Sequence, residues 1–300
     1  MHKFGILLGS LLALISATVH AEQLLQFKEG QKAAYTIEQT IDGKIEGPNT
    51  ARGNLQVSNT LDFTLEIVSV DPKTGDFPMV VEVKVNKLKV DMALAARDAA
   101  GTLHKRVHFD GKKGTKGMAQ IIQHLKSKPI RFNMDKDFEI RPLTNRLEKI
   151  EDAIDDLSVF SGGALVLGAN ELQWKLTLQQ IFHLAGQQKG QQIYKVSNVG
   201  LSGADLDDVE IIKDKGQYAF TKMKGSVLAA NWTGDVHVKD TDFNTENTLN
   251  LSGRVTWNKA NPLVQTRDVT IHEMENDKDS DGGLIRGTVR QKWTSREVNP

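Results

Sequence analysis

The chain contains no cysteine, few aromatic residues and no excess of either charge, and each shortage excludes something. Without cysteine, neither a disulfide framework nor a cysteine nucleophile is possible. Aromatic residues make up 6% of the chain, too few to predict the aromatic platform of a sugar-binding site. The formal net charge is zero, so the basic surface typical of nucleic-acid-binding proteins is not expected.

Long apolar runs are also scarce, because only the first residues provide one. The run extends from Phe4 to Val19 after the basic residue Lys3, and small residues follow it. It is shorter than the roughly 20 apolar residues that a membrane-spanning helix needs. The pattern predicts a secretory signal peptide over residues 1–21, cleaved before Glu22, in a periplasmic or secreted bacterial protein. After cleavage we expect no transmembrane segment.

Most of the remaining chain alternates between apolar and polar residues, which predicts antiparallel strands with one buried face. In "VVEVKVNKLKV" the apolar positions change parity, so we expect a β-bulge near Asn86–Lys87. The clearest alternating positions are Leu61, Phe63, Leu65, Ile67, Leu249, Leu251, Gly253, Val255, Trp257, Ile285, Gly287, Val289 and Trp293.

Three segments in the middle of the chain have helical spacing instead: "TKGMAQIIQHLKS", "PLTNRLEKIEDAIDDL" and "NELQWKLTLQQIFHLAG". The second has a narrow apolar seam, formed by Leu143, Leu147, Ile150, Ile154 and Leu157. The third is apolar on two sides. Leu172 and Leu176 share one side, whereas Trp174, Leu178 and Phe182 share the other. A helix with two apolar sides is normally enclosed between layers, so we expect this helix to be the most buried of the three.

Together these patterns predict a mainly β protein of the β-rich α+β class. We expect a strongly curved antiparallel sheet, or two related half-barrel sheets, with about three helices on the concave side. The Gly-rich stretch "FSGGALVLGAN" divides the mature chain into residues 22–160 and residues 161–300. One continuous domain is the alternative.

The segments "LDFTLEIVSVDPKTGDFPMVVEVKVNKLKVDM", "FNMDKDFEI" and "LSGRVTWNKANPLVQTRDVTI" resemble a family of exported bacterial β-rich proteins of unknown function. More remotely, the layout is similar to the half-barrel of lipoprotein carriers in the bacterial envelope. The resemblance spans most of the mature chain, and it includes no motif that assigns a functional residue.

Near the C-terminus, "NDKDSDGG" is the one stretch with metal-ligand spacing. Asp277, Asp279 and Asp281 fit the first, third and fifth positions of a calcium loop, and Gly282 fits the sixth. Thr288 stands where the bidentate glutamate of such a loop belongs. We therefore expect a solvated hairpin tip and no cofactor, with a weak calcium site as the alternative.

No catalytic residue is predicted, because the common nucleophile motifs are absent. The hypothesis from the sequence is a non-enzymatic envelope protein that binds an apolar ligand, a lipid or acyl chain, in the concavity of the sheet. Leu172, Leu176 and Trp174 are the expected ligand contacts. The alternative is a structural or protein-interaction module of the envelope whose concavity is filled core.

Overall fold

The structure is a computed structural model, and it describes fourteen stretches of the chain. They are residues 25–46, 52–70, 79–98, 101–109, 118–134, 140–144, 147, 167–168, 171–182, 193–195, 209–221, 225–240, 245–275 and 284–298. The predicted signal peptide, the predicted calcium loop and most of the second predicted helix lie outside these residues.

The described residues form thirteen strands and two helices. In chain order they are β1 (Lys32–Glu46), β2 (Arg52–Val70), β3 (Met79–Asp98), β4 (Gly101–Phe109), α1 (Met118–Ser127), β5 (Ile130–Met134), β6 (Ile140–Pro142), α2 (Glu171–Phe182), β7 (Ile193–Lys195), β8 (Val209–Asp214), β9 (Gln217–Phe220), β10 (Val227–Asp240), β11 (Thr245–Asn258), β12 (Gln265–Glu275) and β13 (Leu284–Glu297).

All thirteen strands belong to one curved antiparallel sheet, which confirms the first of the two predicted architectures. The strand order is β6-β5-β3-β2-β1-β13-β12-β11-β10-β9-β7, with β4 also paired to β3 and β8 to β10. The first strand joins the two halves of the chain, because β1 pairs with β2 on one side and with β13 on the other. The division at residues 160–161 remains a prediction.

The alternation in sequence determines which side chains point to the inner face of the sheet. The four predicted apolar positions of β2 are each at most 1% exposed: Leu61, Phe63, Leu65 and Ile67. A strand turns successive side chains to opposite faces, so the intervening polar residues lie on the outer face. The buried side chains of β10 to β13 continue the same inner face.

The predicted bulge is confirmed at Asn86. Lys87 lies opposite Asp62, but Val85 lies opposite Phe63, so Asn86 is an extra residue in β3. The extra residue lets apolar side chains on both sides of it reach the inner face, and it increases the local twist of the strand. A second register shift follows between Ile67 and Ser69.

The second predicted helix begins too early in the sequence-based assignment. Pro142 is the last residue of β6, and the backbone N–H of Leu143 donates to the carbonyl of Arg131 at 2.8 Å. Leu143, expected in the apolar seam of this helix, is 52% exposed. Pairing with β5 keeps this segment extended. Leu147, another expected seam residue, is buried as the seam requires.

The third predicted helix is α2, and it lies on the inner face beside β2 and β5. Trp174, completely buried, contacts the rings of Phe63 and Phe132 at centroid distances of 5.3 and 6.3 Å. Its indole N–H donates to the carbonyl of Gly168 at 2.9 Å, and Gly168 takes a left-handed conformation with φ of 71°. No described side chain of α2 is exposed, whereas α1 exposes most of its polar residues. As predicted, this helix is buried more deeply than α1.

The inner-face side chains form two apolar clusters. The larger one contains the inner residues of β1 to β6, residues of both helices and Trp293. The smaller one contains the inner residues of β9 to β12 together with Leu25. Phe27 and Val289 pack against both clusters. The boundary between the clusters therefore runs along β13 and under residues 25–27, which we call the N-terminal segment.

We predict that Trp174→Ala lowers the free energy of unfolding by about 3–5 kcal/mol, because the substitution leaves a cavity under α2. Urea denaturation followed by circular dichroism measures the loss. Ile212→Ala is the control, because Ile212 is 49% exposed and its truncation should cost at most about 0.5 kcal/mol. A cost for Trp174→Ala as small as that of Ile212→Ala would contradict the packing described for α2.

Candidate ligand-binding site

A buried arginine lies where the two halves of the sheet meet. Arg267 on β12 is 1% exposed and points to the inner face, because it shares the parity of Val269 and Ile271. In the ladder it stands opposite Trp293 of β13 and Val255 of β11. The guanidinium is therefore surrounded by apolar side chains on a face that is otherwise core.

The partners of Arg267 are neutral. Its Nη1 donates to the side-chain oxygen of Gln180, and its Nη2 donates to the main-chain carbonyl of Gln180 at 3.0 Å and to the hydroxyl of Tyr218 at 3.3 Å. Gln180 lies in the last turn of α2, where carbonyl groups lack partners within the helix. The negative end of the helix dipole therefore faces the buried cation.

Two tryptophan rings add cation–π attraction to these hydrogen bonds. The guanidinium carbon of Arg267 lies 4.7 Å from the ring centroid of Trp293 and 5.4 Å from that of Trp232. Both distances fall within the range of cation–π attraction, which is strongest where water is excluded. Among its described partners, no carboxylate neutralises this charge.

Burial favours the neutral form of each ionisable side chain in this cluster. Desolvation lowers the pKa of Arg267, opposed by its attraction to Tyr218 and Tyr35. An arginine nevertheless stays charged at neutral pH, because its ordinary pKa exceeds 12. Desolvation also raises the pKa of Tyr218, with Arg267 opposing the change. The site is a permanent cation held by neutral groups.

Several N–H donors around this cation have no acceptor in the described part of the chain. They are Nε of Arg267 and the indole Nε1 atoms of Trp232 and Trp293. A buried donor without an acceptor is unusual in native proteins and normally indicates a water, an ion or a ligand. All three groups can only donate. Among the same described residues, the side-chain oxygen of Gln265, two residues from Arg267 on β12, likewise lacks a donor. The cluster thus has more donors without a partner than acceptors.

Beside Arg267, a second polar group ties the start of β1 to the turn before β12. The hydroxyl of Tyr35 donates to the carbonyl of Leu263 at 2.6 Å, and Ser295 donates to the same carbonyl at 2.8 Å. Gln265 donates to the Tyr35 hydroxyl at 3.4 Å. Burial raises the pKa of Tyr35, and hydrogen bonds from Gln265 and Ser295 oppose the change.

Together with these polar groups, a row of buried amides forms a polar belt that extends towards β2. Gln39 lies opposite both Asn59 and Gln291 in the ladder, so the three side chains form one row on the inner face. Asn59 donates to Gln39 at 3.1 Å. A polar belt thus crosses the middle of an otherwise apolar surface, with inner residues of apolar character on either side of it.

The N-terminal segment covers the inner face next to this belt. Leu25 belongs to the cluster that contains Tyr218 and Trp232, and the ring of Phe27 lies 4.9 Å from that of Phe182 in the last turn of α2. Among the described residues, Leu25 and Phe27 make no backbone hydrogen bond. Within the described residues, side-chain packing is what holds Leu25 and Phe27 in place.

A groove of about 580 Å³ lies on the outer face, across β1 to β4. Two small residues, Ala93 and Ala95, line it together with His104 and Arg106. Arg106 forms an ion pair with Asp91 at 2.8 Å, and its hydrogen bonds hold the pKa of Asp91 below the usual value. This groove has no buried charge, so it offers less specific chemistry than the inner face.

The residues predicted as ligand contacts lie on α2. Trp174 is packed in the larger cluster, against β2 and β5. Leu172 and Leu176 occupy the same helix, but their side chains lie outside the described residues. Their contact with a ligand remains a prediction. The structure adds the far end of α2, where Gln180 meets Arg267.

The predicted calcium residues Asp277, Asp279 and Asp281 also lie outside the described residues. The segments that flank them are the antiparallel strands β12 and β13, which pair as far as His272 and Thr288. In the described residues, no three acidic or histidine side chains are placed to share a metal ion. Calcium binding by this loop therefore remains a prediction.

Arg267 could have been identified from the sequence by its parity. In "QTRDVTI" the inner face is set by Val269 and Ile271, so Gln265 and Arg267 fall on the same side. An arginine on the apolar side of a strand is a signal for a buried charge. The partners Gln180 and Tyr218 could not be found in this way, because their proximity depends on how α2 and β9 pack.

Comparisons with known proteins give structural matches only. No protein-family model and no curated protein sequence matches the chain. A solved lipovitellin structure, titled for its lipid–protein interactions, aligns with 92% of this chain at 13% identity and a TM-score of 0.48. The aligned region is 26% of the lipovitellin chain.

A second solved structure is DynF from the dynemicin biosynthesis pathway of Micromonospora chersina. It aligns with 95% of this chain and 88% of its own, at 7% identity and a TM-score of 0.19. No family match supports the resemblance to exported bacterial proteins, which remains a prediction. In the part of the chain that is described, no helix has the length and apolar character to cross a bilayer.

We predict that alkaline pH destabilises the protein through its buried tyrosines. The pKa values of Tyr35 and Tyr218 are raised in the folded state. Their contribution to stability is therefore complete below the ordinary pKa of 10.0 and is lost as the pH rises above it. Each tyrosine should lower the free energy of unfolding by about 1.4 kcal/mol per pH unit in that range.

Urea denaturation at several alkaline pH values measures this slope, and Tyr35→Phe and Tyr218→Phe should each remove about one tyrosine's share. Ultraviolet absorbance of tyrosinate provides the second readout. Of the three tyrosines, two should stay protonated until the protein unfolds. Full ionisation of all three in the folded protein would show that Tyr35 and Tyr218 are accessible to solvent.

Proposed function

We propose that this protein is an exported, non-enzymatic protein of the bacterial envelope that binds an apolar ligand, such as an acyl chain, against the inner face of its curved sheet. The ligand lies over the smaller apolar cluster, between the end of α2 and strands β9 to β12. It takes the place of the Leu25 and Phe27 side chains.

The observation that carries this proposal is that Leu25 and Phe27 cover the apolar inner face through their side chains. Leu25 is 1% exposed and packs into the smaller cluster, and Phe27 contacts both clusters. Neither residue has a backbone hydrogen bond within the described residues. Every inner strand, in contrast, is fixed in the sheet by backbone pairing. The N-terminal segment can thus move off the inner face without breaking the backbone pairing of the sheet.

The magnitudes allow such an exchange. Burying a leucine or phenylalanine side chain contributes about 1.5–3 kcal/mol, so the two side chains hold the segment with about 3–6 kcal/mol. Each methylene of an acyl chain contributes about 0.8 kcal/mol on burial, so roughly eight methylenes offset the larger value. Longer chains exceed it, and the released segment also regains conformational entropy.

The competing function is a structural or interaction module in which Leu25 and Phe27 are permanent core. Dense aromatic packing around Trp174 favours that reading for the larger cluster, where three rings meet. The smaller cluster also has ring contacts, of Tyr218 with Trp232 and with Trp257, and at the boundary the rings of Phe27 and Phe182 lie 4.9 Å apart. At that boundary, however, Phe27 makes no backbone hydrogen bond within the described residues. The two functions differ in whether an apolar ligand can replace the segment.

We predict that the protein binds a pyrene-labelled fatty alcohol, and that the double substitution Leu25→Ala and Phe27→Ala increases its affinity at least about threefold by weakening the competing segment. Fluorescence titration measures the binding. The variant should also melt at a lower temperature than the wild type and regain stability when it is saturated with the alcohol.

The matched control is the double substitution Leu143→Ala and Ile212→Ala, which removes exposed apolar side chains and should leave probe binding unchanged. If neither the wild type nor the Leu25 and Phe27 variant binds the probe, the inner face is solid core. The structural function would then replace the one proposed.

The export part of the proposal rests on the apolar run from Phe4 to Val19. The burial of Leu25 supports cleavage upstream of that residue, because cleavage after it would remove a core side chain. We predict that N-terminal sequencing of the mature protein begins at Glu22 or within a few residues of it. Intact protein that begins at Met1 in a membrane pellet would contradict export.

A further inference from the structure

We infer that the ligand carries an acid group, and that Arg267 is the residue which binds it. This inference rests on the proposed function, since it names the head group of the same apolar ligand. The ligand class is then a long-chain carboxylic acid or a similar anionic amphiphile. Its charged end lies at Arg267, and its apolar chain follows the surface that Leu25 and Phe27 cover.

The first argument is the uncompensated charge. Transferring a charged side chain into the protein interior is costly unless an opposite charge accompanies it. Arg267 is 1% exposed, yet within the described residues the groups that it touches are the amide and carbonyl of Gln180, the hydroxyl of Tyr218 and two indole rings. These partners offset only part of the cost. An anionic ligand supplies the missing charge.

The second argument is the excess of donors. Nε of Arg267 and the indole nitrogens of Trp232 and Trp293 have no acceptor in the described part of the chain. Because these groups cannot accept, they cannot satisfy one another. A carboxylate has two oxygens with about four acceptor positions and no donor. It therefore complements this cluster in both charge and hydrogen bonding, whereas an alcohol complements it only in part.

The third argument is the position of the cation relative to the apolar surface. Trp232 and Tyr218, which touch Arg267, belong to the same apolar cluster as Leu25. On the other side, Gln180 lies two residues from Phe182, whose ring contacts Phe27. The charged end and the apolar cover are thus neighbours. A single amphiphile can reach both.

The test compares two ligands with the same sixteen-carbon chain, palmitate and hexadecanol, in displacement of the pyrene-labelled alcohol. The wild type should bind palmitate about 10- to 100-fold more tightly than hexadecanol, because hydrogen bonds to a buried charge are the strong ones. In Arg267→Met this preference should disappear, with palmitate weakened and hexadecanol changed less than about threefold. Acetate should not displace the probe, since the acid group alone lacks the apolar contact.

The control for charge is Arg254→Met on the neighbouring strand β11, because Arg254 is exposed and its loss should leave the preference for palmitate intact. Methionine is chosen at Arg267 because replacing a buried ionic group by an apolar one of similar volume is often neutral for stability. Thermal melting verifies that the variant folds. Should Arg267→Met not fold, Trp232→Phe and Trp293→Phe remove one indole N–H each and should weaken palmitate alone.

The outcomes separate this inference from the function on which it rests. Equal binding of palmitate and hexadecanol by the wild type, unchanged in Arg267→Met, would contradict the inference that the ligand carries an acid group. The proposal that the protein binds an apolar ligand would still stand. Water would then be the acceptor for the three donors. Failure of the wild type to bind the probe at all would overturn the proposed function itself. A preference for palmitate that is lost only in the Arg267 and tryptophan variants supports both.

Discussion

The buried guanidinium of Arg267 is the constraint around which the inner face is organised. Its charge must be stabilised, and the groups that contribute come from separate parts of the chain: the last turn of α2, strand β9, and the tryptophans of β10 and β13. Since a charge without partners is costly to bury, these elements must meet for the sheet to close over Arg267. The same cation that links α2 to the second half of the sheet also provides the chemistry of the candidate site.

The rest of the architecture follows from how strands bury one face. Period-two alternation turns apolar residues inward on each long strand, and the bulge at Asn86 keeps β3 in phase where its sequence changes parity. Strand β1 pairs with both β2 and β13 and so unites the halves of the chain in one ladder. The polar belt of Gln39, Asn59 and Gln291 interrupts the apolar surface in its middle. An amphiphile, apolar along most of its length and polar at one end, suits a surface of this composition.

Much of the fold could be predicted from the sequence, because alternation and helical spacing are local signals. They identified the inner residues of β2 and β11, the bulge and the helix that contains Trp174. They failed where tertiary pairing decides, as at Leu143, which follows the strand pair of β5 and β6, donates its N–H to Arg131 and is exposed. The candidate site was predicted least well. The sequence pointed to α2, but the meeting of Gln180, Tyr218 and Arg267 depends on packing between residues far apart in the chain.

The central claim is that the inner face holds an acidic amphiphile whose head group is bound by Arg267. Native mass spectrometry of the protein, released without detergent from the organism that makes it, tests this claim most directly because the ligand need not be known in advance. The account predicts an adduct with the mass of a long-chain acid on the wild type, and its loss when Arg267→Met is expressed in the same host. A wild-type protein that carries no adduct, or one that carries the same adduct as Arg267→Met, would contradict it.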